Sequence, residues 1–276
     1  MSNLVSTEWL AAHLNEVRVV DASWYMPDEK REPAKEFEAG HIPGAVFFDI
    51  DGIADHTTDL PHMMPTPGEF SKAVGALGIG DGETVIVYDG TGIFSAPRLW
   101  WTLKAMGHDA VRVLDGGFPK WKREGRAAET GSAAHQAKFF TAIARPALIR
   151  NFDDVTGIVK DKSAQIVDAR SAARFKGEEP EPRAGVRGGH MPGAANVHFR
   201  ALITADGTLK PRNELRDAFE RAGVDLRQPI VTSCGSGLTA AILMLALDEI
   251  GATDAALYDG SWTEWGGRPE AAVVTG

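Results

Sequence analysis

"AGHIPGAVFFD", residues 39–49, returns as "GGHMPGAANVHF", residues 188–199, and its surroundings return with it. "DAS" (21–23) precedes the first copy and "DAR" (168–170) the second. Further on, "MGHDAVRVLDGGFPKW" (106–121) aligns with "IGATDAALYDGSWTEW" (250–265), placing Gly107, Asp115, Gly116 and Trp121 opposite Gly251, Asp259, Gly260 and Trp265. A repeat of roughly 145 residues is too long for a solenoid unit and long enough for a whole domain. The chain therefore reads as a duplicated domain: residues 1–127, a linker of small polar residues over 128–146, and residues 147–276.

Inside each copy, short β-branched runs alternate with helical patterns. "VRVVDAS", "TVIVYDG" and "AVRVLDG" in the first copy correspond to "AQIVDAR", "PIVTSC" and "DAALYDG" in the second. Between them lie stretches such as "SAPRLWWTLKAMG" and "LTAAILMLALDEIG", with glycine at the helix ends. Near-continuous apolar strands separated by helices predict an α/β fold: two tandem domains, each a parallel sheet with helices on both faces. Ligands of such sheets bind beyond the carboxyl ends of the strands.

The composition, 43% hydrophobic and 24% charged, is that of a globular protein. A formal net charge of −9 with no block of Lys or Arg argues against nucleic-acid and membrane partners. The longest apolar run, 238–247, falls short of the ~20 residues of a membrane span. The opening residues have no basic, then apolar, leader pattern, and one cysteine precludes an internal disulfide; the cytoplasm is the expected compartment.

That cysteine lies in "VTSCGSGLTAAI" (231–242), where a strand runs into an apolar helix. A lone cysteine is most often a small buried hydrophobe. Gly235, Ser236 and Gly237 change the balance, because a loop stripped of side chains lets backbone N–H groups converge with the helix N-terminus on one point. A thiol at its ordinary pKa of about 8.5 is only about 3% thiolate at pH 7, so a nucleophilic cysteine needs such a cradle. The first copy reads "YDGTGIFSAP" at the matching place, with Asp89 where Cys234 stands. A carboxylate cannot carry sulfur, so the first copy reads as inactive.

"CGSGLTA", both "GHxPGA" motifs, "DGGFPKW" and the aspartate in the first copy together resemble the tandem-domain rhodanese-like sulfurtransferases, and within them the 3-mercaptopyruvate sulfurtransferases. Leu238 departs slightly, standing where valine is usual. The resemblance implies a Cys234 persulfide that moves sulfur from a small anionic donor, 3-mercaptopyruvate, to a thioredoxin-type, small-thiol or cyanide acceptor. It implies neither metal nor cofactor. Arg174 and Arg183 match the family's substrate arginines, and guanidinium forks suit a carboxylate beside a ketone. Gly235, Gly237, Leu238 and Thr239 join them as substrate-binding residues. Ser236 matches the family's loop serine, and "FFDIDGIADHTTDLPHMMP" (47–65) places Asp51 and His62 at the positions of its relay partners. Such a relay would move the proton when C–S cleavage leaves an enolate.

Three alternatives stay open. Thiosulfate-preferring relatives carry basic residues after the cysteine, where Gly235 and Ser236 are neutral. A cysteine phosphatase needs arginine six residues after the cysteine, and Ala240 stands there. A non-catalytic binding module has no use for so framed a cysteine. His41 and His190, present in both copies, read as turn-holding residues, as do Asp21 and Asp168.

Overall fold

The computed structural model describes residues 2–132 and 135–276. The chain divides into two compact units. One comprises residues 1–56, 64–145 and 203–209; the other comprises 57–63, 146–202 and 210–276. Each unit thus takes in a short segment that the chain order would assign to the other.

In the first unit the strands are β1 (Leu4–Val5), β2 (Arg18–Asp21), β3 (Val46–Phe47), β4 (Val85–Tyr88) and β5 (Val111–Leu114). Its helices are α1 (Thr7–His13), α2 (Pro33–Ala39), α3 (Pro67–Ala76), α4 (Ala96–Ala105) and α5 (Gly117–Arg123). The second unit repeats the scheme with β6 (Ile149–Arg150), β7 (Gln165–Asp168), β8 (Ala195–Asn196), β9 (Ile230–Ser233) and β10 (Ala255–Tyr258). Its helices are α6 (Phe152–Asp161), α7 (Ala172–Lys176), α8 (Arg212–Arg221), α9 (Ala240–Glu249) and α10 (Ser261–Gly267). Among the described residues the sheet orders are β1-β5-β4-β2-β3 and β6-β10-β9-β7-β8, with every pairing parallel.

The strands are continuous apolar runs because helices cover both faces. All residues of β4, β9 and β10 are buried. One core gathers Leu10, Val19, Ile86, Phe118 and Trp121; its counterpart gathers Val155, Ile166, Val231, Trp262 and Trp265. α9 is buried nearly all round, which explains a sequence with no polar stripe. α3 begins with a capping box, Thr66 with Glu69, immediately before Pro67.

Residues 133 and 134 of the stretch with linker composition lie outside the described residues; 128–132 and 135–145 group with the first unit, and Pro146 begins the second. Glu129 pairs with His41, Lys138 N–H donates to the Gly75 carbonyl, and Arg145 forks onto Asp109 at 2.6 and 2.7 Å. Phe140 is buried edge-on to Phe70. Small polar residues here satisfy a surface through their backbones, a pattern that composition alone presents as loose chain.

His41 and His190 have matching roles. Each ring stacks on the phenylalanine of the preceding helix, Phe37 or Phe175, and each Nδ1 bonds that residue's carbonyl at 2.8 Å. They pin the turn that leads into β3 and β8.

Candidate active site

β9 ends at Ser233, and Cys234 is the first residue beyond the sheet, only 1% exposed. Its N–H donates to Ser261 Oγ at 3.2 Å, and its carbonyl accepts from Trp262 N–H at 3.0 Å. The Gly235 carbonyl takes both the N–H and the hydroxyl of Thr263, at 2.8 and 2.6 Å. The start of α10 therefore clamps the backbone under the cysteine. Ser261 holds φ +50, the region its counterpart Gly117 occupies at φ +54. The chain keeps this less favoured conformation at a serine, whose hydroxyl supplies the Cys234 contact.

Gly235 has a steric reason: a Cβ there would lie 3.2 Å from Arg174 Nη2. Gly237 has a conformational one, at φ +76. Ser236 and Leu238 are buried, and Thr239 stands at the N-cap of α9 with no side-chain cap bond. That leaves the end of a ten-residue helix facing the loop through its own amides.

The first unit demonstrates what such a loop holds. Asp89 follows β4 as Cys234 follows β9, and its carboxylate accepts five backbone N–H bonds at 2.8–3.0 Å. The donors are Thr91, Gly92, Phe94, Ser95 and Ala96, the last three at the start of α4. The turn is an anion cradle, and in this copy its own aspartate fills it.

A family model described as a rhodanese-like domain matches residues 6–124 and again 151–268. The chain belongs to the rhodanese-like family. A relative from Arabidopsis thaliana, "Thiosulfate/3-mercaptopyruvate sulfurtransferase 1, mitochondrial", is 44% identical over 97% of this chain and 76% of its own length. The "3-mercaptopyruvate sulfurtransferase" of Escherichia coli (strain K12) is 43% identical, covering 98% of this chain and 96% of the relative. The crystal structure of SseA from Escherichia coli, described with the rhodanese fold and catalytic mechanism of 3-mercaptopyruvate sulfotransferases, matches with a TM-score of 0.88 at 41% identity. That match covers 95% of this chain and 99% of SseA.

In the second rhodanese-like unit Arg174, on the short helix α7, reaches the cysteine loop at Gly235. It is held there by Glu181, whose Oε2 accepts from Nη2 at 2.5 Å. The other Glu181 oxygen accepts from Arg170 Nη1 at 2.7 Å, and Arg170 also forks onto Asp168 and caps the Gly189 carbonyl. Arg170, Asp168 and Glu181 carry no prediction of chemistry from the sequence, yet they fix the arginine beside the loop. The available signal is the one mismatch in a repeated motif, "DAR" against "DAS". His198 is a further neighbour: burial, then the charges of Arg200 and Arg174, push its imidazole below the ordinary histidine range.

Arg183 is half-buried in the loop after α7. His62 is buried at φ +61, in the segment 57–63 that groups with the unit of Cys234 and Ser236. Asp51 groups with the first rhodanese-like unit; its Oδ2 accepts from Trp24 Nε1 at 2.8 Å. Among the described residues no helix is long and apolar enough to cross a membrane.

Proposed function

We propose that the protein is a 3-mercaptopyruvate sulfurtransferase acting through a persulfide on Cys234. The observation that carries the reading is a buried cysteine at the mouth of a glycine loop and helix N-terminus, with the Arg174 guanidinium against that loop. The family relationship and the activity named for the Escherichia coli relative support the same donor, while the Arabidopsis relative is named for thiosulfate as well.

Cys234 Sγ, as thiolate, attacks the thiol sulfur of the donor. The Sγ–S bond forms, the donor C–S bond breaks, and its electron pair passes into the enolate of pyruvate. The enolate carbon takes a proton, and the enzyme holds Cys234–S–SH. An acceptor thiolate then takes the outer sulfur, the S–S bond breaks, and Cys234 returns as thiolate.

Arg174 and Arg183 bind the carboxylate and ketone oxygens, giving planar recognition that a lysine would not supply. Gly235, Gly237, Leu238 and Thr239 shape the floor of the pocket. Ser236, His62 and Asp51 form the proton relay that quenches the enolate. The acceptor is a thioredoxin-type dithiol or a small thiol, and the compartment is the cytoplasm. No side-chain charge follows the cysteine directly, which disfavours a dianionic donor such as thiosulfate.

The test is kcat/KM for 3-mercaptopyruvate and thiosulfate side by side, with one dithiol acceptor and pyruvate release as a second readout. A preference for mercaptopyruvate of tenfold or more, about 1.4 kcal/mol in transition-state binding, is expected. Equal rates would remove the reason for the relay, and inactivity with both donors would return the binding-module reading.

A further inference from the structure

The two copies differ at one buried position just past the second strand of each sheet. In the second unit, Arg170 is enclosed on four sides. Asp168 accepts from its Nε and Nη2 at 3.0 and 2.7 Å, Glu181 from Nη1 at 2.7 Å, and the Gly189 carbonyl from Nη2 at 2.7 Å. The Trp262 ring lies beneath the guanidinium at 4.3 Å. In the first unit, Ser23 stands where Arg170 does. By the repeat, Asp21 corresponds to Asp168, Gly40 to Gly189 and Phe118 to Trp262. Glu36 takes the part of Glu181, gripping Arg31 at 2.5 and 2.8 Å as Glu181 grips Arg174. Asp21, Ser23, Glu36, Gly40 and Phe118 all line one cavity of about 360 Å³.

We propose that this cavity is a binding site for a guanidinium group, carried by a small molecule that enters where the second unit has the side chain of Arg170. The walls that hold a guanidinium are kept, and the guanidinium is missing. Asp21 is 4% exposed, accepts the Ser23 N–H at 2.8 Å, and among the described residues pairs with no basic side chain. Arg31 is already committed, stacked on Tyr25 at 3.5 Å and held by both oxygens of Glu36. Lys122 lies over the Phe118 ring at 4.7 Å, and the Tyr25 hydroxyl donates to Glu36 Oε2 at 3.0 Å; both must swing aside for a planar cation to seat there.

The carboxylate must be ionised to receive the ligand. Burial lifts Asp21 to about 6; the groups behind it are Tyr88 and Asp89, and those across the cavity are Tyr25, Arg31, Glu36 and Lys122. Affinity for a guanidinium therefore rises with pH through that region and falls about tenfold per unit below it.

The experiment titrates the intact protein with methylguanidinium, and with its neutral isostere methylurea, by calorimetry at about pH 7.5 and about pH 5. An arginine-bearing tripeptide, capped at both ends, forms a third arm. Saturable binding of methylguanidinium, with methylurea weaker by about tenfold or more, is the expected result. The peptide arm is expected to show weaker binding than methylguanidinium, since the site is proposed for a small molecule. Ser23→Arg supplies the missing group from within and should abolish binding; Asp21→Asn should abolish it independently, and Lys122→Met should tighten it. Neither Ser23 nor Asp21 belongs to the sulfur-transfer residues, so retained sulfurtransferase activity certifies that the variants fold. Equal binding of methylurea, tighter binding of the peptide, or binding untouched by Ser23→Arg would overturn the proposal, as would no saturable binding at either pH.

Discussion

Arg170 and Arg174 share one carboxylate: Glu181 accepts from Arg170 Nη1 on one oxygen at 2.7 Å and from Arg174 Nη2 on the other at 2.5 Å. One of the pair is buried and the other reaches the cysteine loop, so the placement of Arg174, proposed above to bind the donor, depends on a core ion network. Glu181→Gln keeps the shape and removes the charge. Loss of charge-assisted bonds costs about 1.5–3 kcal/mol. The expected result is a KM for mercaptopyruvate raised about tenfold or more, a smaller change in kcat, and a lower Tm. An unchanged KM would detach Arg174 from the donor.

Cys234→Ser should lose turnover with both donors while its melting curve matches the parent. The check is intact-protein mass spectrometry after donor alone: the parent gains one sulfur atom and the variant none. Residual pyruvate release by the variant would remove Cys234 from the mechanism.

Asp89→Asn leaves a near-isostere in a cradle of five amides. The amide group accepts on one atom only, and its NH2 meets donors. Because charge-assisted bonds to a buried acceptor are lost and donors stranded, a destabilisation of about 2–4 kcal/mol is expected in denaturant unfolding. A neutral effect would mean the cradle does not depend on negative charge.

Asp21 sets a pH dependence of opposite sign to the usual carboxylate. Its folded pKa is about 6 against 3.8 for the free group, so the folded state holds a proton that the unfolded chain releases between those values. Stability from this group rises as pH falls from about 7 to about 4, by about 3 kcal/mol at most. Asp21→Asn should raise stability at neutral pH and flatten this contribution. The measurement is ΔG of unfolding against pH for parent and variant; a steeper parent loss on acidification over that range would contradict the assignment.

The central strands and the helices after them were legible because buried parallel strands write themselves as unbroken apolar runs: "TVIVYDG" became Val85–Tyr88 and "PIVTSC" became Ile230–Ser233. The outer strands Leu4–Val5, Val46–Phe47, Ile149–Arg150 and Ala195–Asn196 are two residues long, too short for a period to show. The cysteine loop was legible because glycines flank a single thiol. Arg174 was visible through family resemblance alone, and its support from Glu181 and Arg170 was hidden in a run of charged residues that looks like solvated surface. Segment 57–63 carries no local signal of the unit it joins, because membership is decided by packing far away in sequence.

That exchange of segments has a historical consequence. A freshly doubled domain can lose either copy without harm, since each half is a complete inheritance. Once residues 57–63 group with the later unit and 203–209 with the earlier, a chain severed between Arg145 and Pro146 yields two halves that each lack a piece of themselves. The duplication has become a ratchet: neither unit, cut along the chain order, keeps all of its own segments.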